Sequence, residues 1–151
     1  MASPVPQEDL LIPALLRTAR GSYGDAVRAN LAGAGFDDVP RNGPFVLGGM
    51  ANRGWSATDM IEALDVTKQA ASQLIDTLVI RGYLTREVNP DDRRRLTIEL
   101  TDRGRAAAGV VRAAIEAVDA ELAQMISAEE RAGLRAGLLA LTKIKERRGR
   151  H

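Results

Sequence analysis

Apolar residues recur along most of this chain at the three-to-four spacing of a helix, and the rhythm switches to strict alternation in one short region. Leu11, Leu15, Leu16, Ala19, Tyr23, Val27 and Leu31 form the first stripe and predict a long helix over residues 7–34. Pro13 fits if that helix begins near it or bends there, because proline has no amide to donate. Residues 33–44, "GAGFDDVPRNGP", collect glycine, proline, aspartate and asparagine and predict a connector. Three shorter helices follow. The first covers 45–52. Ser56 opens the second, with Asp59 at capping-box spacing and Met60, Ile61 and Leu64 on its buried side. Thr67 caps the third, which runs to about residue 81 before Gly82 stops it. Its inner face is Ala71, Leu74, Ile75 and Leu78, which leaves Lys68, Gln69, Ser72, Gln73 and Asp76 facing outward.

The period then becomes two. "YLTREV" and "RLTIEL" alternate like strands around the turn "NPDD", with Leu96, Ile98 and Leu100 on one side, and so predict a hairpin. Thr101 caps a helix in which Ala107, Val111, Ala114, Val118, Leu122 and Met125 keep the helical period. Ser127 and Glu130 form a capping box for a last helix, with Leu134, Leu138, Leu141 and Ile144 inside. The fold class is therefore mainly α, an α+β winged helix: a winged helix-turn-helix flanked by long amino- and carboxy-terminal helices.

At 151 residues the chain suits one domain with a real core. Its 21 Lys and Arg nearly cancel its 20 Asp and Glu, so attraction to a polyanion depends on where the charges sit. There is no cysteine and the single histidine is His151, which removes thiolate ligands, thiol redox sensing and histidine-based triads. No metal site, cofactor or catalytic residue is expected, and the chain does not read as an enzyme. The acidic pairs Asp37-Asp38 and Glu129-Glu130 are explained by solvation and helix capping. Without a signal-like start or a run of 18 apolar residues, the protein is expected to be cytoplasmic and off the membrane.

The turn at Asp65-Val66 has the length that lets two helices cross steeply as a helix-turn-helix, whose second helix puts its amino-terminal end in the DNA major groove. The residues there suit the task. Lys68 can meet a phosphate or guanine, Gln69 and Gln73 can pair with adenine, and Thr67 and Ser72 can bond to base edges or phosphates. The hairpin tip carries Arg93, Arg94 and Arg95, and arginine suits a narrow, electronegative minor groove. Arg94 is the candidate for insertion, Arg93 and Arg95 for phosphates, and Asp92 is expected to steady one guanidinium by a bidentate bond. A charged loop or a polar helix face alone is commonly just solvated; adjacent in sequence, the two support each other.

These residues, "DVTKQAASQLIDTLVIRGYLTREVNPDDRRRLTIELTDRG" over 65–104, resemble the MarR family of bacterial transcriptional regulators. The likeness rests on the recognition helix, the Asp-x-Arg wing motif at Asp92-Arg93-Arg94, and Leu100, Thr101 and Gly104 opening the next helix. It implies a single MarR-like domain over 1–151, with dimerisation helices at 7–35 and 103–147 around a DNA-binding unit at 43–102. It further implies a homodimeric regulator, by expectation a repressor, reading a pseudo-palindromic operator in double-stranded DNA and often weakened by a small-molecule effector. The long apolar stripes independently favour burial against a partner copy. Tyr23, Phe45 and Trp55, with Phe36, are spaced so that they could line an effector pocket, although aromatic residues so placed are more often simply core. Residues 43–50, "GPFVLGGM", are more glycine-rich than the family's usual helix there. The alternative function is a winged-helix protein-interaction module without DNA binding, which the polar and basic make-up of 67–73 and 93–95 disfavours.

Overall fold

In the computed structural model of the chain, the structure describes residues 6–94 and 96–149. A 3-10 turn, Gln7–Asp9, precedes helix α1, Ile12–Gly33. The apolar pattern predicts a start at residue 7; proline sets the actual start, since Pro13 occupies the first turn, where its missing amide costs nothing. Next come α2 (Gly43–Arg53), α3 (Ala57–Leu64) and α4 (Lys68–Ile80), then strands β1 (Leu84–Val88) and β2 (Leu96–Leu100). The chain ends in α5 (Asp102–Met125) and α6 (Ala128–Gly149).

The caps explain why these helices begin where they do. Ser56 and Asp59 complete the expected capping box of α3, the Asp59 amide donating to Ser56 Oγ at 3.1 Å and Asp59 Oδ2 accepting the Ser56 amide at 2.9 Å. Thr67 Oγ1 accepts the Ala70 amide at 3.1 Å and opens α4. Gly82 follows α4 with φ +77°, a left-handed turn that glycine adopts without steric cost. β1 and β2 pair antiparallel, Leu84 opposite Leu100 and Val88 opposite Leu96, which makes the wing.

The chain divides into two units, Met1–Ile115 and Glu116–His151. In the first, one core gathers Val27 and Leu31 from α1, Val46 and Leu47 from α2, Met60 from α3, Ile75 and Leu78 from α4, Tyr83 and Leu84 at the root of the wing, and Ala107, Ala108, Val111 and Ala114 from α5. Six of these, Tyr83, Leu47, Met60, Leu78, Leu84 and Val46, are fully buried, each contributing roughly 1.5–3 kcal/mol if its side chain is apolar and fully removed from water. In the second unit the Ser127–Glu130 capping box forms as expected, and Arg131 donates to the Ile126 carbonyl at 3.1 Å across the α5–α6 turn. The α6 stripe, however, is not inside. Leu134, Leu138, Leu141 and Ile144 are all exposed and α6 buries no residue in the single chain. Leu11, which caps α1, and Ile12, Leu15 and Leu16 within it are likewise exposed.

Candidate nucleic-acid interface

α3 and α4 are joined by a tight turn in which Asp65 takes a left-handed conformation, φ 55° and ψ 44°, and donates its amide to the Glu62 carbonyl at 3.3 Å. Aspartate tolerates that region better than most side chains. The turn leaves α4 resting on Ala71, Ile75 and Leu78, all buried, while Thr67, Lys68, Gln69, Ser72 and Gln73 are exposed. The five residues singled out on this helix therefore share one free face at its amino-terminal end. Thr67 uses one hydroxyl lone pair as a cap and keeps its proton for another acceptor.

At the wing tip the chain is shaped by two side-chain-to-backbone bonds. Asn89 Oδ1 accepts the Asp91 amide at 2.9 Å, and Asp92 Oδ1 accepts the Arg94 amide at 3.1 Å. Asp92 thus steadies the backbone under Arg94, where the sequence pointed to a bond with a guanidinium. A short polar side chain reaches its own backbone two residues on more readily than it holds a flexible arginine. Arg93 and Arg94 are exposed, and Arg95 lies outside the described residues.

Two ties behind this surface were not visible in the sequence. Arg86 of β1 forms an ion pair with Asp76 of α4, so the hairpin is fastened to α4. At the wing's root, Thr101 Oγ1 donates toward the carbonyls of Gly82 (2.5 Å) and Tyr83 (3.1 Å) and accepts the Gly104 amide at 3.0 Å, so one hydroxyl both caps α5 and holds β1. The spacing of Leu100, Thr101 and Gly104 acquires a physical reason here: α5 begins against the backbone of Tyr83.

The third feature is a cluster around Asp38. Its carboxylate accepts from the Tyr83 hydroxyl and from Arg103 Nη2 (3.0 Å), and its carbonyl accepts from the Arg81 guanidinium. The Arg103 guanidinium lies 4.6 Å from the centre of the Tyr83 ring and 5.4 Å from that of Phe36. Tyr83 and Phe36 meet edge to face at 6.2 Å. The hydrogen bond from Tyr83 is the largest influence holding the Asp38 carboxyl below its ordinary value of 3.8; partial desolvation works against it, and the charge of Arg103 works with it. Burial, then the bond to Asp38, pushes the Tyr83 hydroxyl up from 10.0 to about 12. Solvation explains Asp37, which is exposed, but not Asp38, which is tied to three other residues.

Of the aromatic residues expected to share a pocket, Tyr23, Phe36 and Phe45 do so. They line a cleft of about 1080 Å³ between α1, the α1–α2 connector, the end of α3 and α5, together with Arg20, Arg28 and Arg41. Trp55 does not join them. It lies in a separate hollow of about 520 Å³ beside β2, with Glu99 and Arg105, and the Arg53 guanidinium sits 5.8 Å from its ring. The helical break at Gly54 sends it to the wing side of the unit. Among the described residues no group of three or more His, Cys, Asp and Glu is placed to hold a metal, and no helix is long and apolar enough to cross a membrane.

Known proteins share this geometry. A model of the MarR family matches residues 38–95, the span from Asp38 through the wing tip. No curated protein sequence matches the chain. Among solved structures, S. aureus MepR in a DNA complex is similar with a TM-score of 0.72 and 21% identity, covering 89% of this chain and 98% of that one. Streptococcus pneumoniae FabT in complex with DNA gives 0.74 and 22%, covering 89% and 95%. E. coli MarR in its apo form gives 0.59 and 20%, covering 87% and 97%. At these identities the likeness shows the fold alone. Residues 38–95 match the model of the MarR family.

Proposed function

We infer that this chain is a DNA-binding transcriptional regulator, acting as a homodimeric repressor on a pseudo-palindromic operator. The observation that carries the reading is the free polar face of Thr67, Lys68, Gln69, Ser72 and Gln73 on α4, followed in the chain by a hairpin tip with Arg93 and Arg94 exposed. The helix face suits base edges in a major groove, and the wing arginines suit the adjacent minor groove and its phosphates. The similarity in fold to MepR and FabT, both solved with DNA, supports it.

In this reading residues 1–151 work as one domain, with 7–35 and 103–147 as dimerisation helices around the winged helix at 43–102. The exposed leucines and isoleucines of α1 and α6 support a partner copy, since apolar rows of this length on free helices are normally covered. The cleft at Tyr23, Phe36 and Phe45 supports an effector site. The side chains of Arg20 and Arg41 make no hydrogen bond or ion pair among the described residues, so an aromatic or otherwise apolar acid matches the lining best. Its place beside the connector supports relief of DNA binding by such a molecule.

The test is to incubate the purified full-length protein with fragmented bacterial DNA, recover what it holds and sequence it. The reading predicts a two-fold symmetric motif with half-sites about one helical turn, ~10 base pairs, apart. Recovery of fragments without any shared motif would refute it.

A further inference from the structure

We propose that Asp38 is the positioning residue through which the aromatic cleft and the DNA-reading elements sense each other. The inference deepens the effector reading above and rests on it.

The connector between α1 and α2 has two sides. Phe36, Asp37, Val39, Pro40 and Arg41 contribute to the cleft. Asp38, in their midst, is engaged elsewhere: its carbonyl receives the Arg81 guanidinium at the end of α4, and its carboxylate receives the Tyr83 hydroxyl at the start of β1 and Arg103 in the first turn of α5. A molecule seated against Phe36 and Val39 bears on the backbone that carries Asp38. That backbone cannot move without breaking hydrogen bonds at the junction where the recognition helix becomes the wing.

The junction itself is stiff, which is why a small movement would be transmitted rather than absorbed. The Tyr83 carbonyl accepts the Thr101 amide at 3.1 Å, Thr101 Oγ1 also holds the Gly82 carbonyl, and Gly104 packs so closely on Tyr83 that no side chain fits between. Packed and hydrogen-bonded chains of this kind have discrete arrangements, and coupling between sites is carried by an element that both sites bias. Here the element is the connector, docked on Tyr83 and Arg103 or released from them. A cleft ligand favours release; a duplex held by α4 and the wing favours docking. Linkage makes the effect reciprocal. Phe36 extends the relay, because its ring faces the cleft and also lies against Arg103 and Tyr83.

The probe is 1-anilinonaphthalene-8-sulfonate, an aromatic anion whose fluorescence reports binding, used with the full-length protein and the duplex recovered by the pull-down above. Its affinity is measured with and without saturating duplex. In the wild type the duplex is expected to weaken probe binding by about 10-fold, within the usual range of allosteric coupling. Asp38→Asn keeps the size of the side chain and lies outside both binding surfaces. Because it favours release, it is expected to take up the probe at least as tightly as the wild type and the duplex somewhat less tightly, while the coupling falls below about 2-fold. Tyr83→Phe, which removes a single hydroxyl from the cluster, is expected to give an intermediate factor. A purely structural role for Asp38 would weaken both affinities and leave the coupling near its wild-type factor. Unchanged coupling in Asp38→Asn, or no coupling in the wild type, would overturn the relay while leaving the cleft intact as a binding site. If Phe45→Ala takes up the probe as tightly as the wild type, the cleft reading itself is wrong and the relay falls with it.

Discussion

A Cβ placed on residue 104 would come within 2.1 Å of the Tyr83 carbonyl oxygen, so α5 approaches the wing's root at a distance that a glycine alone permits. The obstacle is backbone, not the flexible end of a side chain, and relief requires the helix or the strand to shift. Gly104→Ala is therefore expected to destabilise the fold by about 1–3 kcal/mol or more, as overpacking of a tight core does. For a chain of this size that corresponds to a fall of roughly 2–4 °C in melting temperature per kcal/mol. Thermal denaturation followed by circular dichroism measures it, and an unchanged midpoint would mean that the junction is looser than the structure has it.

Tyr83 gives the protein an alkaline signature. Its folded value is raised to about 12 against an ordinary 10.0, so the folded state resists losing that proton. The associated stability is complete below pH 10 and is lost as the pH rises from 10 towards 12, at no more than about 1.4 kcal/mol per unit. Tyr83→Phe should lose about 1 kcal/mol at neutral pH for its hydrogen bonds. It should also show a shallower decline than the wild type above pH 10. Urea titrations of both proteins across that range make the comparison; parallel declines would count against the cluster.

Thr67 tests the helix-turn-helix as a folding unit. Its hydroxyl is the N-cap of α4, so Thr67→Ala is expected to cost about 1 kcal/mol, whereas Thr67→Ser retains the cap and nearly all the stability. Denaturant midpoints of the two variants separate the outcomes. Equal loss in both would show that the cap bond is not the reason for threonine here.

The exposed row on α6 should report on self-association. Leu138→Glu, at a position that makes no core in the single chain, is expected to leave helicity unchanged and to shift the protein from dimer to monomer in analytical ultracentrifugation. A wild type that is already monomeric at micromolar concentration would exclude the dimer.

How much of this was legible beforehand depends on range along the chain. Ser56 with Asp59, Thr67, Thr101, and Ser127 with Glu130 act within three or four residues, and spacing alone identified all these caps. The exposed polar face of α4 and the hairpin that carries Arg93 and Arg94 are legible because a helical stripe and an alternating pair of strands each declare which side is polar. Pairings between distant residues were not legible. Asp38 and Arg103 lie 65 positions apart, and nothing local marks Asp38 off from Asp37. Arg86 and Asp76 are ten apart but on different elements, so their pairing waits on how the wing folds back. Trp55 was misplaced for a related reason, since grouping by residue type ignores the turn at Gly54. The glycines of 43–50 also have a use that sequence did not reveal: a Cβ on Gly49 would strike the Met60 side chain, so α2 and α3 pack closely there.

If the proposed function holds, substitutions on the exposed polar face of α4 should divide by role. Gln69→Ala and Gln73→Ala are expected to change which bases are preferred, at about 1–3 kcal/mol for each bidentate pair of hydrogen bonds removed. Lys68→Ala, if it serves a phosphate, should weaken binding to all sequences alike and reduce the salt slope by about one.

The wing arginine and the duplex meet in a single experiment: fluorescence anisotropy of the recovered duplex titrated with wild-type protein and with Arg94→Ala, repeated over a range of salt concentrations. The wild type is expected to bind tightly, with a steep, linear fall of log affinity against log salt, and Arg94→Ala to form a markedly weaker complex. Equal affinity of the two proteins would contradict the role given to the wing arginine, and binding by the wild type that ignores both duplex sequence and salt would contradict the reading of this chain as a DNA-binding regulator.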